Sequence, residues 1–125
     1  MVENDLSNII ICEAIYIHRT LGPGLLESAY KECLYHRILE KSINVGKEVP
    51  VPLVFESIKL ECGYRADLIV ENKVIVEIKC VETFTDVHKA QVLTYLKLKK
   101  IKLGILLNFN TVLLKDGIKR IVNNL

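Results

Sequence analysis

The stretch from Arg65 to Lys79 limits the fold more than any other part of the chain. It reads Arg65-Ala66-Asp67-Leu68-Ile69-Val70, then Glu71-Asn72-Lys73, then Val74-Ile75-Val76-Glu77-Ile78-Lys79. Two β-branched runs on either side of a short polar loop predict an antiparallel hairpin. A loop at 71–73 sets Val70 opposite Val74, and the same register sets Asp67 opposite Glu77 and Arg65 opposite Lys79. Side chains alternate between the faces of a strand. One face then carries Ala66, Leu68, Val70, Val74, Val76, Ile78 and Cys80, all apolar, and must be covered. The other carries Arg65, Asp67, Glu77 and Lys79 beside Ile69 and Ile75, so it is only partly wet.

Cover is available on both sides of this hairpin in the sequence. Leu6, Ile9, Ile10, Ala14 and Ile17 recur at helical spacing, and Gly22-Pro23-Gly24 ends that helix near Leu21. A second helix is expected over 25–41, with Leu26, Tyr30, Cys33, Leu34 and Ile38 as its apolar stripe. A third is expected over 85–98. Strands are expected over 49–55, where Pro50 and Pro52 argue for an edge or irregular position, and over 58–70, 74–80, 103–109 and 112–122. The order ααβββαββ makes an α/β fold, a central mixed sheet flanked by helices. At 125 residues, one domain spanning 1–125 is expected, large enough to bury about two-thirds of its surface.

Composition narrows the function classes. Seventeen Lys and Arg against fifteen Asp and Glu give +2, too mild either to mark or to exclude a nucleic-acid binder. Cys12, Cys33, Cys62 and Cys80 show no zinc spacing and do not cluster with His18, His36 and His88. No apolar run approaches the 18 residues of a membrane span, and the acidic start Met1-Val2-Glu3-Asn4-Asp5 is unlike a signal peptide. A cytoplasmic protein with reduced thiols and no membrane partner is expected.

On the charged face, Asp67 beside Glu77 needs a compensating cation, because opposed like charges destabilise a sheet. Cross-strand ion pairs on a solvated face are the ordinary account of such residues. A half-buried pair of carboxylates is also a trap for a hard divalent cation such as Mg²⁺, and Lys79 two residues on could orient water or stabilise charge on a phosphate. Two further groups could join. Glu27 and Tyr30 lie one turn apart on the second helix, where Glu27 also suits the helix dipole. His88, Gln91 and Tyr95 form a polar stripe on the third helix, which needs partners if it is buried.

Taken together, the ordered set Gly24-x-x-Glu27-x-x-Tyr30, Arg65-x-Asp67, Glu77-x-Lys79, and His88-x-x-Gln91 with Tyr95 resembles the PD-(D/E)xK nuclease superfamily, and within it the GxxExxY proteins. The resemblance runs from the first helix to the last strand. It departs at Ala66, where the superfamily usually has Pro. It implies a restriction-endonuclease-like fold and hydrolysis of DNA or RNA phosphodiesters by water activated on Mg²⁺ or Mn²⁺. Asp67, Glu77, the Ile78 carbonyl and Glu27 would hold the metal. Lys79 would position the water and stabilise the transition state. Gln91 would orient Lys79 or that water, and Arg65, Tyr30, His88 and Tyr95 would support the site or touch a phosphate.

Two other readings stay open on the sequence. One is a non-catalytic nucleic-acid-binding or partner-docking module on the same fold, suggested by the mild charge, with only Arg65, Lys79 and the Lys97, Lys99, Lys100 and Lys102 cluster available to track phosphates. The other is hydrolysis of a different phosphate ester, although Gly22-Pro23-Gly24 lacks the Lys and Ser/Thr of a phosphate loop. A homodimer would widen a thin basic surface into a groove.

Overall fold

The structure, a computed structural model, describes residues 1–125. Helix α1 spans Glu3–Leu21 and α2 spans Glu27–Glu40. Strands β1 (Val45–Pro50), β2 (Leu53–Phe55), β3 (Ile58–Leu60), β4 (Arg65–Val70) and β5 (Val74–Lys79) follow. Helix α3 (Asp86–Lys99) crosses over to β6 (Leu103–Asn108), and a 3₁₀ turn (Leu114–Gly117) leads into β7 (Ile118–Val122).

Five strands make one mixed sheet in the order β1-β4-β5-β6-β7. Only β5 and β6 run parallel, joined through α3, the connection a parallel pair requires. Helices α1 and α2 cover one face. Leu6, Ile10, Ala14 and Ile17 of α1 and Tyr30, Leu34 and Ile38 of α2 pack on Leu68, Val70, Val74, Val76, Ile78, Ile105 and Leu107. The buried Glu13 ties these helices together, accepting from Arg37 Nε at 2.6 Å and pairing with Lys41 at 3.3 Å. Helix α3 covers the other face through Val92, Tyr95 and Leu96, against Ile69, Ile75 and Leu106. Gly104 makes this close approach feasible, since a Cβ there would lie 2.6 Å from Val92 Cγ1. No helix is long and apolar enough to cross a membrane.

The sequence reading holds for the helices and the hairpin loop and fails in four places. The strand expected over 49–55 breaks after Pro50, because Pro52 has no N–H to extend a ladder. The strand expected over 58–70 is two strands: β3 turns back on β2 as a separate two-stranded arm, and residues 61–64 lead into β4. Gly63, at φ 81, allows that change of direction. The expected strand at 112–122 begins only at Ile118, after the 3₁₀ turn. Ala66 also leaves the face assigned to it and packs with the α3 cluster. The pleat therefore does not continue regularly through Asp67.

Candidate active site

The hairpin register is the expected one at its closed end, with Val70↔Val74, Ile69↔Ile75 and Leu68↔Val76 paired. The next pair, Asp67 with Glu77, does not join the ladder. Instead, Asp67 N donates to Glu77 Oε2 at 2.8 Å, and Ile78 N donates to Asp67 Oδ2 at 2.8 Å. Each carboxylate thus holds the backbone of the opposite strand, and the strands part beyond it. Arg65 does not pair with Lys79. The other side of β4 shows a matching interruption. Lys47↔Leu68 and Val49↔Ala66 pair with β1, but Glu48, at φ 51, leaves no pair opposite Asp67.

One oxygen of each carboxylate is committed to these bonds, which leaves Asp67 Oδ1 and Glu77 Oε1. Glu77 is 3% exposed. Burial, and then the charge of Asp67, pushes its carboxyl up to about 8, while Lys79 pulls the other way. Glu77 is therefore held where its surroundings oppose its ionisation. Lys79 ends β5, and its ammonium makes no hydrogen bond or ion pair.

The remaining residues divide into those the fold gathers and those it does not. Glu27, the first residue of α2, accepts from Cys80 N at 2.9 Å, one residue past Lys79. Its presentation depends on Gly24, at φ 102, and on Tyr30. The Tyr30 ring is buried and stacked on Phe109 at 4.2 Å, and its hydroxyl donates to Gly22 O and accepts from Leu25 N. That hydroxyl fastens the loop, so Tyr30 supports the site from beneath. Tyr95 is buried on α3, and its hydroxyl holds its proton through burial first and then the charge of Glu77. Gln91 lies one turn before it, in a hollow shared with Tyr64. Arg65 sits at the rim, 3.5 Å from Glu48 O. His88 is engaged elsewhere: its Nδ1 accepts from Thr85 N, and Thr85 Oγ1 accepts from His88 N, a reciprocal cap on α3.

Two residues escaped the sequence reading. Lys31 bonds Glu48 Oε1 at 3.0 Å and stands 4.0 Å from Asp67 Oδ1, which makes it a second cation at the acids. Its position four after Glu27, on the same side of α2, was the available signal. The buried Asn108 donates to Val81 O at 2.7 Å and accepts from Val81 N at 3.1 Å, so it holds the chain just beyond Lys79. Nothing in a lone Asn at a strand end announces this. A cavity of about 480 Å³ is lined by His18, Arg19, Pro23, Leu113 and Lys115 among others and contains none of the acids.

The donor set can be tested against a divalent metal. No three His, Cys, Asp or Glu side chains converge into a ready-made cluster. Asp67 and Glu77 do meet across the parted strands, each with one oxygen not used in the backbone bonds. A residue's N–H and C=O point to the same side of a strand, so the Ile78 carbonyl faces the opening that its N–H faces. Oxygen donors suit Mg²⁺, which keeps several waters and takes few protein ligands. The residues fit such an ion.

The comparisons with known proteins agree with this geometry. The family model of the PD-(D/E)XK nuclease superfamily matches residues 4–121. The chain belongs to that superfamily. Its mixed five-stranded sheet between helices is consistent with the restriction-endonuclease-like fold. No curated protein and no solved structure matches the chain. Superfamily membership points to nuclease activity, nucleic-acid binding and use of divalent metal.

Proposed function

We propose that this chain, as a GxxExxY-type member of the superfamily, is a Mg²⁺- or Mn²⁺-dependent nuclease that hydrolyses phosphodiester bonds. One observation carries the proposal. Asp67 and Glu77 each secure the opposite strand with one oxygen, and the other oxygen of the buried Glu77 is left without a partner, in a chain whose Lys79 is likewise unpaired. A structural ion pair would have neutralised itself. Here Lys79 is left without an acid partner instead.

Asp67, Glu77 and the Ile78 carbonyl would hold the ion, and Glu27 would reach it through water. The ion supplies Lewis acidity and a bound water of lowered pKa. Lys79, with three donors and no competing partner, orients the attacking water and stabilises charge on the phosphate oxygens. Gln91 positions Lys79 or that water from α3. Arg65 at the rim takes a phosphate, Tyr95 supports the acids, and Lys31 places a positive charge beside Asp67. His88 supports the site through the α3 cap, and Tyr30 through the loop. The working location is the cytoplasm. A homodimer would supply additional basic surface.

The test is incubation of the protein with labelled single- and double-stranded DNA and RNA in Mg²⁺, Mn²⁺ or EDTA, beside Asp67→Ala and Lys79→Ala. Metal-dependent cleavage lost in both variants is the expected result. Salt-dependent binding without cleavage, unchanged by Asp67→Ala, would instead make the chain a binding module.

A further inference from the structure

Next to the charged opening lies a cavity of opposite character. It has a volume of about 270 Å³ and is lined by Leu53, Tyr64, Gln91, Thr94, Tyr95 and Leu98, none of which is charged. Two walls connect it to the acids. Tyr64 immediately precedes Arg65 at the start of β4, and its carbonyl accepts from Val51 N at 2.8 Å, which fixes its backbone. Tyr95 packs in one cluster with Ala66, the residue before Asp67. The two rings stand 6.4 Å apart at 55°, and Tyr64 is 47% exposed, so one aromatic face is open to a ligand.

We propose that this cavity receives an unpaired nucleobase of the strand whose phosphate lies at Asp67 and Glu77, so that single-stranded or frayed nucleic acid is the substrate class. The inference rests on the nuclease reading. A polymer that alternates anionic phosphates with neutral flat rings matches a surface that alternates a cation-seeking cleft with a neutral aromatic hollow. Tyr64 offers a stacking face, and stacking accepts any base because every base has a π-face. Thr94 offers a hydroxyl to a base edge. Leu53 and Leu98 form the apolar sides. The volume lies below the roughly 300 Å³ at which drug-sized pockets begin, which suits one ring system rather than a whole nucleotide. A base paired within a duplex cannot enter without leaving its stack. The β2–β3 arm extends the Leu53 wall outward with Val54 and Phe55, both more than half exposed.

The test measures equilibrium binding in Ca²⁺ of three labelled DNA probes: a single strand, the same strand with abasic sites, and a blunt duplex. The full chain is compared with Tyr64→Ala, Tyr64→Phe and Thr94→Trp. The native chain should prefer the normal strand to the abasic one by about tenfold, the order of one stacked base. Tyr64→Ala, which removes the face, and Thr94→Trp, which fills the hollow, should erase the preference. Tyr64→Phe should keep it. Tyr64 and Thr94 are exposed, so thermal unfolding should not move. Equal binding of normal and abasic strands overturns the proposal, as does tighter binding of the duplex or a preference that survives Tyr64→Ala. Base-dependent binding with no metal-dependent cleavage of any substrate would support the pocket and refute the nuclease reading.

Discussion

The two ends of the β4–β5 hairpin are built from similar residues and do opposite things. At the closed end, Leu68, Ile69, Val70, Val74, Ile75 and Val76 pair through the backbone and are buried on both faces. At the open end, the ladder stops at Asp67 and Glu77, and side-chain oxygens replace the backbone acceptors. The closed end stabilises the fold. The open end withholds the next backbone bonds so that carboxylates can stand between the strands, at a cost in charge repulsion. A site of this kind is an interruption in a sheet, made tolerable by the regular part beside it.

The largest effects should separate the two ends by what they damage. Leu68→Ala at the closed end should cost about 2–5 kcal/mol of unfolding free energy in a urea titration. Lys79→Ala at the open end should lower the cleavage rate about 10²–10³-fold, the usual loss for one transition-state donor, with the urea midpoint unchanged because its ammonium has no partner to lose. A stability loss in Lys79→Ala matching that of Leu68→Ala would erase the distinction.

A smaller effect should run in the opposite direction. Glu77→Gln keeps an oxygen for Asp67 N and removes the repulsion, so above pH 8 it should raise stability in EDTA by about 0.5–1 kcal/mol, and it should abolish cleavage. The same contrast appears in pH. Burial and Asp67 hold the Glu77 carboxyl near 8, against an ordinary 4.5. The folded state therefore keeps a proton that the unfolded chain releases, and stability present below pH 4.5 is lost as pH rises through 8. Metal-free melting temperatures should fall over that window, and Glu77→Gln should flatten the slope. The smallest change, Tyr30→Phe, should cost about 1 kcal/mol by freeing Gly22 O and Leu25 N. It should also weaken cleavage by loosening Glu27, as a titration of rate against Mg²⁺ would show.

The contrast also explains what could be read from the sequence. Loop 71–73 and the period-2 pattern gave the register and brought Asp67 and Glu77 together, because both signals are local. The helices were equally plain from their apolar spacing and from Gly22-Pro23-Gly24. The opening at Asp67 was not legible, since it arises from competition between side-chain and backbone acceptors for the same N–H groups. Lys31 was missed because it acts from another element. The β2–β3 arm was hidden because residues 58–70 carry strand formers almost throughout, and only Gly63 marks the change of direction.

Chain distance separates the acids from their helper. Asp67 and Glu77 meet across 10 residues, whereas Glu27 reaches Cys80 across 53. A short hairpin closes in microseconds, but the second contact must wait for α2 to dock. The acid pair needs only the closure of a local hairpin, whereas the residue that completes its surroundings needs the helical layer docked on the sheet. A circular permutant opened between Pro23 and Gly24 would leave the hairpin whole and free the tether that presents Glu27.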